Sequence, residues 1–320
     1  MHEQLKQQLE HAQAGDRGAL ARLISVLESG GSDAAILERC LRARHGGGYT
    51  VGITGAPGAG KSTLVSALLG EVLAEPGRVA LLAVDPSSPL SRGALLGDRV
   101  RMQPHAGSPD VFIRSMASRG HLGGLAMATR SARRLLEACG WPLTLIETVG
   151  VGQVELDVAS ATDTVVVVLN PGWGDEVQAN KAGLMEVADI FVINKADKAG
   201  LDATRRDLEG ALASLPPERR PQVLETIATE GKGAAALWQA IRDHRAAITA
   251  SGELEQRRLA QVRSELKGMM DALLANQVQR LFEGQDAHAR VLAVSEGSLD
   301  IATASDQMLD LLYDQAAGRV

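Results

Sequence analysis

Apolar residues recur at two different periods along this chain, and the change between them divides it. From residue 5 to about 45 they fall three and four apart: Leu20, Leu23, Ile24 and Leu27, then Ala34, Ile36, Leu37 and Leu41. That spacing lays an apolar stripe along a helix. Gly30-Gly31-Ser32 interrupts the stripe and His45-Gly46-Gly47-Gly48 ends it, which predicts a preface of short helices over 1–47. From Tyr49 the texture becomes short continuous apolar runs: YTVGIT, RVALLAV, DVFIRS, LTLIE, DTVVVVLN and DIFVIN, with a last strand near Val223-Leu224. Runs of this kind, without alternation, read as strands buried on both faces. Helical stretches at 61–74, 125–139 and 201–214 lie between them, so 48–249 is an α/β region with a mostly parallel sheet and helices on both faces. From about 249 the strands stop. Leu259, Val262, Leu266, Met269, Leu273 and Leu281 lie mainly three or four apart on one helix near 252–283, and a final helix is predicted near 304–318, so 250–320 forms a C-terminal helical extension.

A chain of 320 residues with 45% hydrophobic content can bury a full core with appendages. Lys+Arg 33 against Asp+Glu 39 gives a net charge of −6, and no basic run provides the footprint that nucleic acid would need. The polar start MHEQLKQQLEHAQ is unlike a secretion signal, and runs such as VVVVL are far too short to span a bilayer, so a cytoplasmic protein without a membrane partner is expected. Cys40 and Cys139 stand apart, with no CxxC and no neighbouring His cluster, and read as ordinary buried or half-buried thiols.

Chemistry enters at GAPGAGKS, Gly55 to Ser62, which has the spacing G-x-x-x-x-G-K-[ST], follows a predicted strand and precedes a predicted helix. In that context Gly55, Ala56, Pro57, Gly58, Ala59 and Gly60 wrap a phosphate with backbone N–H groups, and the helix N-terminus favours its charge. Lys61 reaches the β- and γ-phosphates, the Ser62 hydroxyl ligates Mg²⁺, and Thr63 continues the site. NKAD, Asn194 to Asp197, leaves another apolar strand. A carboxylate at Asp197 can accept from N1–H and the 2-amino group of guanine, whereas adenine lacks that amino group and would leave the carboxylate unpaired. GTP is therefore expected, held by Asn194, Lys195 and Asp197, with an amide near Ala228 on the guanine oxygen. Glu147 leaves the run LTLIE into Thr-Val-Gly-Val-Gly, where a phosphate-loop fold supplies a carboxylate to the Mg²⁺ shell, directly or through water. Asp85 in AVDPSSP and Asp98 in LLGDRVRM are further candidates, which makes Ser62, Asp85, Asp98 and Glu147 the candidate metal set.

With these residues in place, the chain resembles the MeaB/ArgK-type GTPases, a metallochaperone-like branch of the phosphate-loop GTPases. The resemblance runs through AGDRGALARLISVLES, GITGAPGAGKST, LAVDPSSPLSRGALLGDRVRM, RGHLGGLAMATR, IETVGVGQVE, NPGWGDEVQANKAG and VINKAD. It implies a phosphate-loop GTPase domain flanked by helical extensions, acting as a chaperone that gates adenosylcobalamin loading and protects an acyl-CoA mutase such as methylmalonyl-CoA mutase. It also implies that Asp85 to Arg101 is a first switch, Glu147 to about Ala159 a second, and Asn170 to Lys181 a third, with Lys181 as a functional lysine. Lys61, Glu147 and Lys181 are then the candidate catalytic residues. A homodimer through the 250–320 region is likewise favoured. Val154 and Ile227 stand where smaller polar residues are expected, and Trp173 enlarges the third-switch loop.

The expected reaction is GTP + H₂O → GDP + phosphate. Val151 occupies the position where a water-orienting Gln commonly follows the second switch glycine, and Gln153 comes two residues later. A low intrinsic rate, raised by a partner that orders the switches, is the consequence. Arg92, Arg99, Arg101 and Arg119 are basic candidates that no spacing ranks. Three alternatives stand beside the mutase chaperone: a nickel-delivery GTPase, disfavoured by the lack of a Cys-rich or His-rich segment, a transport-associated ATPase or kinase, disfavoured by NKAD, and a non-enzymatic scaffold that binds GTP without turnover, which a phosphate-release assay would expose.

Overall fold

The computed structural model describes residues 2–41, 47–85, 103–117, 124–148, 161–172 and 185–316. It divides into two compact units, Met1–Arg258 and Leu259–Val320.

The first unit opens with helices α1 (His2–Gln13), α2 (Arg17–Ser29) and α3 (Gly31–Cys40). Asp16 starts α2 by accepting hydrogen bonds from the Gly18 and Ala19 amides at 2.8 and 3.0 Å, which satisfies two donors that a helix N-terminus leaves open. The stripe read from the sequence is the buried face: Leu20, Leu23, Ile24 and Leu27. Beyond the linker come β1 (Tyr49–Gly55), α4 (Lys61–Leu73), β2 (Val79–Asp85), the single-turn α5 (Gln103–Ala106), β3 (Val111–Ala117), α6 (Gly124–Ala138), β4 (Leu143–Thr148), β5 (Thr164–Leu169), β6 (Ile190–Asn194), α7 (Leu201–Leu212), β7 (Gln222–Thr226) and α8 (Ala234–Ala250). The seven strands form one parallel sheet in the order β3-β2-β4-β1-β5-β6-β7.

Strand alternation divides the core. Val79 and Leu81 of β2 join Val51, Ile53, Leu64, Leu68 and Leu237 on the face covered by α4 and α8. Ala80, Leu82 and Val84 point the other way and join Phe112, Leu135 and Leu136 together with Leu5, Leu20, Leu23 and Leu37 of the preface. The preface is thus continuous with the core of the sheet. Val165, Val167, Phe191 and Ile193 meet Leu208 and Leu212 of α7 in a third cluster.

At the amino ends of the central strands the unit is held by charge. The Asp163 carboxylate, fully buried, accepts from the Thr50 amide (2.8 Å), the Thr50 hydroxyl (2.9 Å) and Arg258 Nε (3.1 Å). Arg257 grips Asp189 through two nitrogens at 2.9 and 2.8 Å, the planar two-point geometry that makes arginine–carboxylate pairs strong. His244 lies between Asp189 (3.3 Å) and the Thr164 hydroxyl (2.9 Å), which in turn meets the Tyr49 hydroxyl. Burial alone would raise the Asp189 carboxyl, but hydrogen bonds and charge from His244 and Arg257 outweigh it and hold the group below the usual carboxylate range. Burial pushes the Tyr49 hydroxyl up to about 12.

Arg257 and Arg258 lie in the first turns of α9 (Glu253–Phe282). Its remaining length belongs to the second unit, with α10 (Gln285–Ser295) and α11 (Ile301–Ala316). The sequence pattern predicts the final helix but assigns no element to 285–295. That helix buries one small residue, Ala287, so its apolar pattern carries little signal. This unit's own buried cluster is Leu281, Ala287 and Met308. Leu259, Val262, Leu266 and Leu273 remain 55–65% exposed, which is far more apolar surface than scattered single residues explain. Among the described residues, no helix is long and apolar enough to cross a membrane.

Candidate nucleotide and magnesium site

The candidate residues that fall within the described chain lie at the carboxyl ends of β1, β2, β4, β6 and β7. In an open parallel sheet that edge collects ligands, above all where the order of connections reverses, as it does around β1. Gly55 closes β1 with φ +134°, and a Cβ there would lie 2.0 Å from the Val168 carbonyl oxygen of β5. Gly60 begins α4 in the left-handed region (φ +91°), with a hypothetical Cβ 2.4 Å from Asn194 Nδ2. Glycine is therefore required by close approach at both ends of the loop, not only by chain flexibility. Ala59 is fully buried between them, while Pro57 and Gly58 face solvent.

Lys61 and Ser62 open α4 and are both buried. The Lys61 ammonium donates to the carbonyls of Gly55 (2.6 Å) and Ala56 (3.0 Å), so it lies folded over the loop that it is expected to serve. Ser62 Oγ donates to Glu147 Oε1 at 2.5 Å. Register explains how residues 85 apart meet: Glu147 pairs with Ile53 on β1, two residues before the loop begins at Gly55. A hydroxyl that donates its proton to a carboxylate keeps both lone pairs for a cation. Thr63, next on α4, is half-buried.

Asn194 ties the loop to the second half of the site. Its Nδ2 donates to the Ala59 carbonyl at 2.8 Å, and its Oδ1 accepts from the Thr226 hydroxyl (3.0 Å) and the Ala228 amide (3.1 Å). The side chain is buried, and these partners fix its orientation. Lys195, at φ +60°, extends back over the loop and donates to the Gly58 carbonyl at 2.8 Å. Asp197 is exposed and pairs with Lys198 at 3.2 Å.

Asp85 ends β2 in register with Ala117. Its side chain lies outside what is described, as do Asp98, Lys181, Arg92, Arg99, Arg101, Arg119, Val151, Gln153, Val154 and Trp173. Ile227 precedes a 3-10 turn, Ala228–Glu230. Sequence reasoning did not single out the Thr226 hydroxyl as a support for Asn194. It also passed over Thr148, whose hydroxyl donates to that of Thr54 at 3.0 Å, both buried. The signal for that pair is the β1–β4 register, which no local motif contains.

Comparison with known proteins gives an independent line. The family model described as methylmalonyl Co-A mutase-associated GTPase MeaB matches residues 20–283. GTPase ArgK of Escherichia coli strain K12 is 36% identical over 325 residues, covering 97% of each chain. The mitochondrial methylmalonic aciduria type A homolog of Mus musculus is 40% identical over 220 residues, covering 67% of this chain and 53% of that one. Among solved structures, the crystal structure of an LAO/AO transport system kinase aligns with a TM-score of 0.71 and 31% identity, covering 97% of each chain.

Proposed function

The chain belongs to the MeaB family of methylmalonyl-CoA mutase-associated GTPases, and on that premise we propose that it is a Mg²⁺-dependent GTP switch that gates adenosylcobalamin delivery to an acyl-CoA mutase and protects that mutase. The observation that carries the nucleotide half of the proposal is the buried Ser62–Glu147 hydrogen bond directly beneath the glycine loop. Mg²⁺ is a hard ion that takes oxygen ligands, and a serine hydroxyl whose proton is already committed to a carboxylate offers a suitable oxygen beside a negative charge. These residues fit the ion. Ser62 and Glu147 would hold it, and when bound it would supply neutralisation of the charge that develops on the transferred phosphate.

The chain's own residues account for the rest of the reaction. Loop amides and the start of α4 receive the phosphates. Lys61 exchanges its two carbonyl partners for phosphate oxygens, a stronger charge-assisted bond. Asn194 keeps the loop and the Thr226–Ala228 turn at a fixed separation, and Asp197 selects guanine. Glu147 holds the Ser62 proton and lies at the start of the second switch. Water then attacks the γ-phosphorus, the bond to the β-phosphate oxygen breaks, and GDP and phosphate leave. Asp85, Asp98 and Lys181 enter this scheme through the family resemblance.

Glu147→Gln tests the metal-side role: GDP binding should persist while GTP turnover falls about 10–100-fold, the usual cost of losing a group that orients a metal ligand. Turnover at the wild-type rate rejects it. For the partner, native co-purification followed by mass spectrometry should recover an acyl-CoA mutase, and a different class of partner rejects the chaperone role. The proposal includes a homodimer through 250–320, supported by the exposed stripe of α9, and places the protein in the cytoplasm. Light scattering of the full chain and of a chain ending at Arg258, which keeps the Arg257 and Arg258 ion pairs, tests the dimer: a full-length monomer, or a truncated protein that still dimerises, removes it.

A further inference from the structure

Residues 103–111 connect the segment that the family resemblance assigns as the first switch to the edge strand β3, and two side chains from separate parts of the fold hold them. His105, on the single turn α5, places Nε2 2.9 Å from the carbonyl oxygen of Ser66. Ser66 belongs to α4, the helix whose first two residues are Lys61 and Ser62. A carbonyl only accepts, so His105 is the donor there, and this bond fixes the Nε2–H tautomer in the neutral ring. On the other side Arg17, the first residue of α2, donates to the Ser108 carbonyl at 3.0 Å and to the Val111 carbonyl. The two grips are joined by the Ser108 amide, which donates to the His105 carbonyl at 3.1 Å. The Asp110 carbonyl passes the connection on to the Val79 amide of β2 at 2.9 Å. A continuous set of hydrogen bonds therefore runs from the helical preface, through 105–111, to the helix that carries the phosphate-binding residues.

We propose that His105 and Arg17 are positioning residues for GTP hydrolysis, fixing the downstream end of the first-switch segment against α4, so that the N-terminal helices take part in catalysis. The physical reason is a boundary condition. A segment that changes arrangement with the γ-phosphate needs a fixed point at its end, or its motion is absorbed by the chain that follows. His105 is four residues beyond Arg101, where the assigned first switch ends, and its partner is in the second turn of the nucleotide helix, which makes it that fixed point. Arg17 is suited to the second grip because one planar guanidinium spans two carbonyls, which a lysine ammonium cannot do in the same geometry. The proposal rests on the first-switch assignment.

The test compares His105→Leu, which removes the donor, with His105→Gln, whose amide nitrogen can replace Nε2, and with Arg17→Ala. His105→Leu should lower kcat for GTP about fivefold, the worth of one net hydrogen bond, while Kd for GDP stays within about twofold. His105→Gln should restore most of the rate. Arg17→Ala should resemble His105→Leu; should it fail to fold, the Leu and Gln pair decides the matter. Hydrogen exchange across 86–102, with GDP and with a non-hydrolysable GTP analogue, supplies a readout that a purely structural role leaves unchanged. The nucleotide-dependent difference should be present in the wild type and reduced in His105→Leu. A wild type with no such difference overturns the first-switch assignment and this proposal together. A wild type that shows it, with His105→Leu retaining both the difference and the wild-type kcat, overturns the positioning role alone.

Discussion

At the carboxyl end of β1 the ammonium of Lys61 is held by two backbone carbonyls, whereas beyond the amino end of the same strand the Asp163 carboxylate is enclosed by a threonine amide, a threonine hydroxyl and an arginine. Both charges are buried, but they are satisfied differently. Neutral carbonyls are partners that a phosphate can outcompete, since it meets the ammonium with a full negative charge where they offer only dipoles. The bidentate Arg257–Asp189 pair and the Asp163–Arg258 pair join opposite full charges already. One edge is thus built to release its internal bonds to a ligand, and the other to keep them. Backbone geometry follows the same division: the carboxyl edge turns on Gly55 and Gly60 at positive φ, while the amino edge is tied by side chains.

This comparison predicts that mutations at the two edges separate stability from binding. Asp163→Ala should have the largest effect, destabilising the fold by about 2–4 kcal/mol, because it strips the buried Thr50 amide and hydroxyl of their acceptor and the half-buried Arg258 of its counter-ion. Urea unfolding measures this, and nucleotide affinity in the remaining folded protein should be unchanged. A loss below about 1 kcal/mol would mean that the amino edge is not the clamp described. Lys61→Ala should reverse the pattern, weakening GTP and ATP alike by about 1.5–3 kcal/mol, roughly tenfold to over a hundredfold, with a much smaller change in Tm. Asp197→Ala sharpens the binding side further. It should weaken GTP by a similar factor but leave ATP unaffected, and, as an exposed residue, it should leave stability within about 0.5 kcal/mol. Equal losses for the two nucleotides in a calorimetric titration would remove the guanine assignment.

The smallest effect is in pH dependence. Asp189 has a folded-state pKa below its ordinary value of 3.8, so the unfolded chain takes up its proton first as pH falls. Its contribution to stability is fully present above about pH 4 and is lost as pH drops through the folded value. Asp189→Asn should therefore flatten the acid limb of a stability-versus-pH curve below about pH 4, while the carboxyl-edge variants keep the wild-type slope. An unchanged acid limb in Asp189→Asn would show that other carboxylates carry it.

The loop Gly55 to Ser62 and the tetrapeptide from Asn194 were legible because their chemistry is local: each is a few consecutive residues at the exit of an apolar strand. The strands were legible for a related reason, since burial on both faces leaves an uninterrupted apolar run. Other features carried no comparable mark. Helix α10 buries only Ala287, so its apolar period is weak. The single turn α5 is shorter than any window in which a helical period can be counted.

The sequence by itself determined the α/β class, the glycine-rich loop between β1 and α4, the Asn194–Asp197 stretch leaving β6 and the identity of Glu147 as the carboxylate leaving β4. Each follows from composition and spacing within a short stretch, where neighbours along the chain are also neighbours in space. Only the tertiary structure decided which partners those groups have. It brought Glu147 to Ser62 across 85 residues, Asn194 to Ala59 across 135, and Asp163 to Arg258 across 95. It also made the N-terminal helices part of the sheet's own core. These pairings depend on strand order and register, which side-chain periodicity constrains only to a choice of face. The contacts form once seven strands take one order in the sheet, and no local stretch of the chain contains that order.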